Sequence, residues 1–271
     1  MGIKLVVLDI DGTIAGESNQ VRPAVVETIQ RVQDQGIAVA LATGRMFGSA
    51  LPFYDQIQST LPLIAYNGAL TQHPHSQEIL RQWPLPTAIA LEILDYFESP
   101  DLRQKLEVHC YHNDQLYVRE ITPETERYMA RSGMAAQAIG DLRIMIERST
   151  VKLLAISQNN QLIQSLITEL RQQYSPQDVH LTQSTDIYFE ITHPQANKGL
   201  AIQHLTEDIL KLKPENVLAI GDNFNDREML KYAGIGVAMG NAPDPIKAIA
   251  DWVTDDVEAD GVKQALEKFC F

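Results

Sequence analysis

Cysteine is nearly absent: the chain has two in 271 residues. Cys110 and Cys270 lack metal-ligand spacing, and two thiols make no disulfide scaffold. This usage fits a reducing compartment, so a cytoplasmic protein is expected. No run reaches the roughly 20 apolar residues of a membrane span. The first apolar run is too short for a secretion signal, and Asp9 and Asp11 interrupt it. Positive charge is scarce, with 22 Lys and Arg against 35 Asp and Glu and a net charge of −13. That excludes non-specific binding to nucleic acid or an anionic membrane, because phosphate backbones need clustered cations. A small anionic substrate is not excluded, since one metal ion inverts the local field. Low-complexity tracts and repeats of fixed period are also missing. The 45% hydrophobic and 21% charged fractions are those of an ordinary globular chain, so disorder is excluded.

What is present begins at the amino end. The apolar run Ile3 to Leu8 leads directly into Asp9-Ile10-Asp11-Gly12-Thr13. This reads as a buried parallel strand delivering acids to its carboxyl end, where open α/β sheets bind ligands. On a regular strand, residues two apart share a face, so Asp9 and Asp11 are expected side by side. At about 4 Å and an effective dielectric of about 20, they would repel by about 4 kcal/mol. A site that tolerates this holds a cation, shares a proton, or does both. A calcium loop opening at Asp9 would want a turn glycine and a closing glutamate where the sequence has Ile14 and Gln20.

Hydrophobic periodicity and breakers organise the rest. Helices are expected at Pro23–Gln35 and Phe47–Gln58, and strands at Ile37–Ala42 and Leu63–Tyr66. The second strand ends at Thr43-Gly44-Arg45. Asn67-Gly68 is a turn signal, with a hairpin expected around Ala69 and Ile79. Alternating strand and helix predicts a parallel sheet. After Trp83-Pro84-Leu85-Pro86 the texture changes to paired strands with occasional helices, an α+β pattern. His193-Pro194 closes this stretch. From Asn197 the first texture returns: a helix to about Leu210, a strand Val217–Ile220 ending at Gly221-Asp222, and another at Gly236–Met239. The expected organisation is a discontinuous α/β core, residues 1–83 and 193–271, with an inserted α+β domain at 84–192.

Several motifs together carry a resemblance: Asp9-Ile10-Asp11-Gly12-Thr13, Ala42-Thr43-Gly44-Arg45, Asn67-Gly68, Asn197-Lys198-Gly199 and Gly221-Asp222-Asn223-Phe224-Asn225-Asp226. Further stretches, among them Val237-Ala238-Met239-Gly240-Asn241-Ala242 and Asp260-Gly261-Val262, extend it. The chain resembles the haloacid dehalogenase superfamily, and within it the Cof-type phosphatases with an inserted cap. The resemblance covers both core segments in order; the insert agrees in position and size but carries no diagnostic motif. The late loop departs from the pattern at Val257, where the family often has Asn.

The resemblance implies a Rossmann-like core with a parallel sheet and an inserted cap that reads the organic half of the substrate. It implies a Mg²⁺-dependent phosphomonoester hydrolase acting on small phosphorylated metabolites, with sugar phosphates expected. Phosphotransfer to another acceptor, as in a mutase, and a non-catalytic metabolite sensor are the alternatives. Asp9 is the expected nucleophile, forming an aspartyl-phosphate. Asp11 is the expected general acid and base. Asp9, Asp222 and the Asp11 backbone carbonyl would hold the metal. Asp226 would orient a metal-bound water or Lys198, although an acid near a helix N-terminus is its plainer reading. Thr43, Gly44, Arg45, Asn67, Lys198 and Asn225 are expected to contact substrate or phosphate. Thr43 would offer its hydroxyl and exposed amides. Arg45 reads equally as a surface residue and Asn67 as a plain turn. Lys198 in a first helical turn opposes the helix dipole, which makes sense if a bound anion offsets it; a solvated lysine is the alternative. Tyr111, Tyr117, Tyr188 and Glu190 of the insert face either a pocket or their own core. Lys247 and the seven histidines show no ligand arrangement.

Overall fold

The computed structural model describes residues 2–271. Its first segment contains β1 (Leu5–Leu8), α1 (Pro23–Asp34), β2 (Ala38–Leu41), α2 (Phe47–Ile57), β3 (Leu63–Ala65), β4 (Leu70–Gln72) and β5 (Ile79–Gln82). There follow α3 (Thr87–Phe97), β6 (Glu107–His112), β7 (Gln115–Val118), α4 (Pro123–Ser132), β8 (Ala136–Ala138), α5 (Arg143–Glu147), β9 (Lys152–Ile156), α6 (Asn160–Gln173), β10 (His180–Thr185) and β11 (Tyr188–Thr192). The last segment holds α7 (Lys198–Gln203), β12 (Val217–Gly221), α8 (Arg227–Tyr232), β13 (Ile235–Ala238), α9 (Asp244–Lys247), β14 (Trp252–Val253) and α10 (Gly261–Cys270). Two units result: the chain up to Arg81 together with Asn197–Phe271, and Gln82–Ala196.

The first unit is built on five parallel strands in the order β14-β13-β12-β1-β2. All four residues of β1 are fully buried, the pattern of a strand covered on both faces. The register explains how distant segments meet. Leu8 pairs with Ile220 on one side and Leu41 on the other. The residues just past each pairing, Asp9, Gly221-Asp222 and Ala42-Thr43, therefore emerge together at one sheet edge. Pro23 opens α1, where its missing N–H costs nothing, and Val25, Ile29 and Val32 supply its buried stripe. That helix packs against α10.

Two expectations need correction here. Leu63–Tyr66 does not extend the parallel sheet: β3 pairs antiparallel with β4, in a small sheet with β5. A single parallel bridge, Ala42 to Ile64, ties it to the end of β2, because the strand is only three residues long. The expected helix to Leu210 ends at Gln203 and continues to Ile209 in wider π turns, with the Leu210 N–H donating to the Leu205 carbonyl.

The second unit is a six-stranded sheet in the order β10-β11-β9-β6-β7-β8, antiparallel except for β7 with β8. Strand alternation separates its faces. Cys110, Leu153, Ala155, Phe189 and Ile191 pack with Leu94 and Phe97 of α3 and Leu166 and Leu170 of α6, and Tyr117 joins this apolar side. Tyr111, Tyr188 and Glu190 alternate with these residues and belong to the other face. There Lys152 Nζ lies 3.4 Å from Glu190, both residues buried, and 5.0 Å from the Tyr111 ring centroid. Where the chain enters and leaves the unit, Trp83 stacks on His193 at 4.8 Å.

Candidate active site

The strand ends of the first unit carry the site. Asp9 follows β1 and is almost fully buried, and its N–H donates to the Ile220 carbonyl. Lys198 opens α7 behind Asn197, whose side-chain oxygen accepts from the Leu200 N–H at 2.8 Å. This cap aims Lys198 inward, and its ammonium is wholly buried. Lys198 Nζ donates to Asp9 Oδ1 at 2.6 Å and to Asp226 Oδ1 at 2.5 Å. The other Asp226 oxygen accepts the N–H groups of Asp222 at 2.9 Å and Asn223 at 3.0 Å. Both oxygens of Asp226 are thus engaged, and it shapes the turn after β12 while neutralising Lys198. A side chain at Gly221 would put Cβ 2.6 Å from the Asp226 Cβ, so only glycine lets this turn fold back.

Asp9, Asp222 and Asp226 each place an oxygen within 4.8 Å of the others, all three residues buried. Hard carboxylate oxygens gathered this way suit an oxygen-seeking divalent cation. Since Asp226 is already doubly bonded, Asp9 and Asp222 are the carboxylates best placed to hold it. Asp222 is steadied by Asn241, which donates to Asp222 Oδ2 at 3.2 Å and to the Gly12 carbonyl at 2.9 Å. Thr13 Oγ1 reaches Asp222 Oδ1 at 3.5 Å. Gly12 has φ of +77°, and a Cβ there would fall 2.1 Å from Asp222 Oδ2. Glycine is required on both counts.

Electrostatics follow from this packing. Burial, reinforced by Asp226, pushes the Asp9 carboxyl up to about 7 despite the opposing pull of Lys198. Burial and the charges of Asp9 and Asp226 raise Asp222 well above the carboxylate range. Burial alone would lower Lys198, but Asp226 and Asp9 outweigh it and hold the ammonium protonated. Two acids that resist ionisation beside a fixed cation form a site poised for further positive charge.

Asp11 departs from expectation. The strand stops at Leu8, and the N–H groups of Thr13, Ile14 and Ala15 all turn back to the Ile10 carbonyl. Asp9 and Asp11 are therefore not side by side on a strand face, and Asp11 contributes least among the charges acting on Asp9. Its carboxylate instead meets Arg45, Nε on Oδ2 and Nη2 on Oδ1, each at 2.7 Å. Thr43 is buried, and its amide is not exposed: it donates to the Ile64 carbonyl at 2.9 Å. Its hydroxyl accepts the Arg45 N–H at 3.1 Å and keeps its own proton to donate. Gly44 sits between them, partly buried. Asn67 takes φ of +56°, and its side-chain oxygen accepts from Asn225 Nδ2 at 3.0 Å. Lys247 ends α9, away from these contacts in sequence and element.

The structure thus brings together Asp9, Asp222, Asp226 and Lys198, joins Asp11 to Arg45, and joins Asn67 to Asn225. A model of the haloacid dehalogenase-like hydrolase family matches residues 6–266. The chain belongs to the haloacid dehalogenase-like hydrolases. Among relatives of this hydrolase, a 5-amino-6-(5-phospho-D-ribitylamino)uracil phosphatase of Bacillus subtilis (strain 168) is 28% identical, over 98% of this chain and 97% of the relative. A phosphoglycolate phosphatase of Methanoculleus marisnigri is 27% identical, over 98% and 97%. A solved haloacid dehalogenase-like hydrolase from Bacteroides thetaiotaomicron superposes with a TM-score of 0.83 at 27% identity, covering 98% of this chain and 99% of that one. The protein is a phosphatase of this superfamily, of the Cof type.

Sequence reasoning missed Asn241 and Thr13 as supports of Asp222 in this hydrolase. Both lie inside the motifs that carry the resemblance, and their spacing past a strand end is the available signal. No helix among the described residues is long and apolar enough to cross a membrane.

Proposed function

We propose that this phosphatase is a Mg²⁺-dependent phosphomonoester hydrolase working through an aspartyl-phosphate on Asp9. The observation that carries the reading is Asp9 itself: buried at a strand end, gripped by Lys198 and close to Asp222. In the first step an Asp9 oxygen bonds to phosphorus while the ester P–O bond breaks. Asp11 gives a proton to the departing alcohol oxygen. In the second step Asp11 takes a proton from water, the water oxygen bonds to phosphorus, and the Asp9–phosphorus bond breaks. Phosphate leaves and Asp9 is restored.

Asp9, Asp222 and the Asp11 carbonyl would hold Mg²⁺, which when bound neutralises charge on the phosphoryl oxygens. Lys198 and the Thr43 hydroxyl donate to the same oxygens. Gly44, Asn67 and Asn225 complete the wall around the phosphate, and Asp226 keeps Lys198 oriented. The substrates we assign are small soluble phosphate esters, sugar phosphates foremost. Support comes from the relative whose name places its phosphate on a ribityl chain and from one named for phosphoglycolate.

A chromogenic phosphate ester, assayed with and without Mg²⁺ in wild type and Asp9→Asn, tests the reading. Turnover should require the metal and fall by more than about a thousandfold in Asp9→Asn. Metal-independent turnover, or an active Asp9→Asn protein, would refute it.

A further inference from the structure

Arg45 is buried, a costly position for a guanidinium. Its partner Asp11 keeps 36% of its side chain exposed, and a pair open to water on one side adds little net stability to set against that cost. Its surroundings are specific. Two of its nitrogens grip the two oxygens of Asp11, and Nη2 also donates to Asn19 Oδ1 at 2.5 Å. The guanidinium lies over the Phe53 ring of α2, 4.4 Å from its centroid. Its backbone is pinned on both sides: the N–H donates to Thr43 Oγ1, and the carbonyl accepts from the Tyr66 N–H at 2.9 Å. The backbone contacts and the Phe53 ring restrict the fork independently of Asp11, so little order is lost in gripping it.

We propose that Arg45 is a positioning residue for Asp11: it fixes the plane of the acid/base carboxylate and locks it to the loop from Asp11 to Val21. The loop is closed on itself by bridges from Asp11 to Ala15 and from Ala15 to Val21. Asn19, with φ of +55°, returns to the same guanidinium. Arg45 therefore joins three things: the acid/base residue, the loop that carries it, and α2 beneath. A carboxylate oxygen has two lone-pair directions, and the fork occupies one on each. By fixing the carboxylate plane, the fork also fixes where the other lone pair of each oxygen points, toward or away from a leaving oxygen. Without the fork, Asp11 rotates about its side-chain bonds and that direction is lost. Arg45 thereby acts on the proton rather than on the phosphate.

This inference rests on the reading of Asp11 as acid and base, and leaving-group chemistry separates the two. A nitrophenolate departs without a proton, whereas an alkoxide needs one. The experiment compares kcat/KM for 4-nitrophenyl phosphate and for a simple alkyl phosphate in wild type, Arg45→Met, Arg45→Lys and Asn19→Ala, with circular dichroism confirming the fold. In Arg45→Met, the alkyl ester should lose at least about tenfold more than the aryl ester. Arg45→Lys should fall between, because one ammonium cannot fork, and Asn19→Ala should show the same bias more weakly. Guanidinium added at millimolar concentration to Arg45→Ala should restore the alkyl ester preferentially. Equal losses on both esters, or a rise in KM with kcat intact, would overturn the inference and make Arg45 a structural or substrate-binding residue. If wild type hydrolyses neither ester, the reading of the site fails, and the inference with it.

Discussion

Lys198 Nζ lies 2.6 Å from Asp9 Oδ1, although the residues are 189 positions apart and come from opposite ends of the insertion. Neither is exposed to any useful degree, so water cannot replace either partner. Asp226 stabilises the ammonium from the other side, giving two carboxylates around one cation. The excess of negative charge is what a second cation would meet.

Truncating the lysine should expose that excess. Lys198→Met leaves Asp9 and Asp226 buried without their shared partner, and breaking such a pair costs about 3–5 kcal/mol. We expect a stability loss of that order in urea unfolding and a fall in kcat of at least about a hundredfold. Unchanged unfolding would mean that the acids are protonated and need no cation.

Metal binding should depend on pH in a defined direction. Without metal, Asp9 is raised from 3.8 to about 7 and Asp222 is also raised. Between those values the folded state keeps a proton that the unfolded chain has released. This contribution favours the metal-free fold below pH 3.8 and is lost as pH rises toward 7. A cation must displace the same protons. Mg²⁺ should therefore bind tighter, and raise the melting temperature more, at pH 8 than at pH 6. Titration calorimetry in buffers of different ionisation heat should detect proton release at the lower pH. An affinity flat across this range would contradict the raised carboxyls.

The strand-end chemistry was legible because it is local. A fully apolar run ending in Asp9, and a lysine placed against its helix dipole, are each visible in a few residues. The pairings were not. Arg45 with Asp11 and Asn67 with Asn225 depend on how loops from different strand ends turn, and nothing in either loop alone names its partner. Asp11 escapes the two-residue strand period because the chain leaves the strand after Leu8 and turns back on the Ile10 carbonyl. In the insert, strand alternation was readable, yet which face the helices cover depended on long-range packing.

Asn241 offers a milder perturbation. Asn241→Ala removes the donor to Asp222 Oδ2 and the Gly12 carbonyl. Losing such an outer support typically weakens metal affinity by about 10–100-fold. We expect that shift in the Mg²⁺ dependence of turnover, with kcat at saturating metal largely recovered. A loss that saturating metal does not restore would place Asn241 in the chemistry.

The insert carries its own pH signature. His109 is fully buried edge-on against Tyr128, and neither ring nitrogen has a hydrogen-bond partner among the described residues. Burial, aided by Lys152, lowers it from 6.5 to about 3. Its neutral form supports the fold fully above pH 6.5, and that support is lost as pH falls toward 3. His109→Phe should stabilise by about 1 kcal/mol at pH 7, since an orphaned polar group is removed. The gain should grow at pH 5. A gain that shrinks with acidity would mean that the protonated imidazole finds an acceptor in the fold.

The most direct test of the phosphoryl route is chemical trapping at residue 9. Enzyme quenched in acid during turnover, reduced with borohydride and mapped by peptide mass spectrometry should carry homoserine in place of Asp9, the product of a reduced acyl phosphate. Sustained turnover with Asp9 unmodified, or with reduction at another carboxylate, would contradict the account.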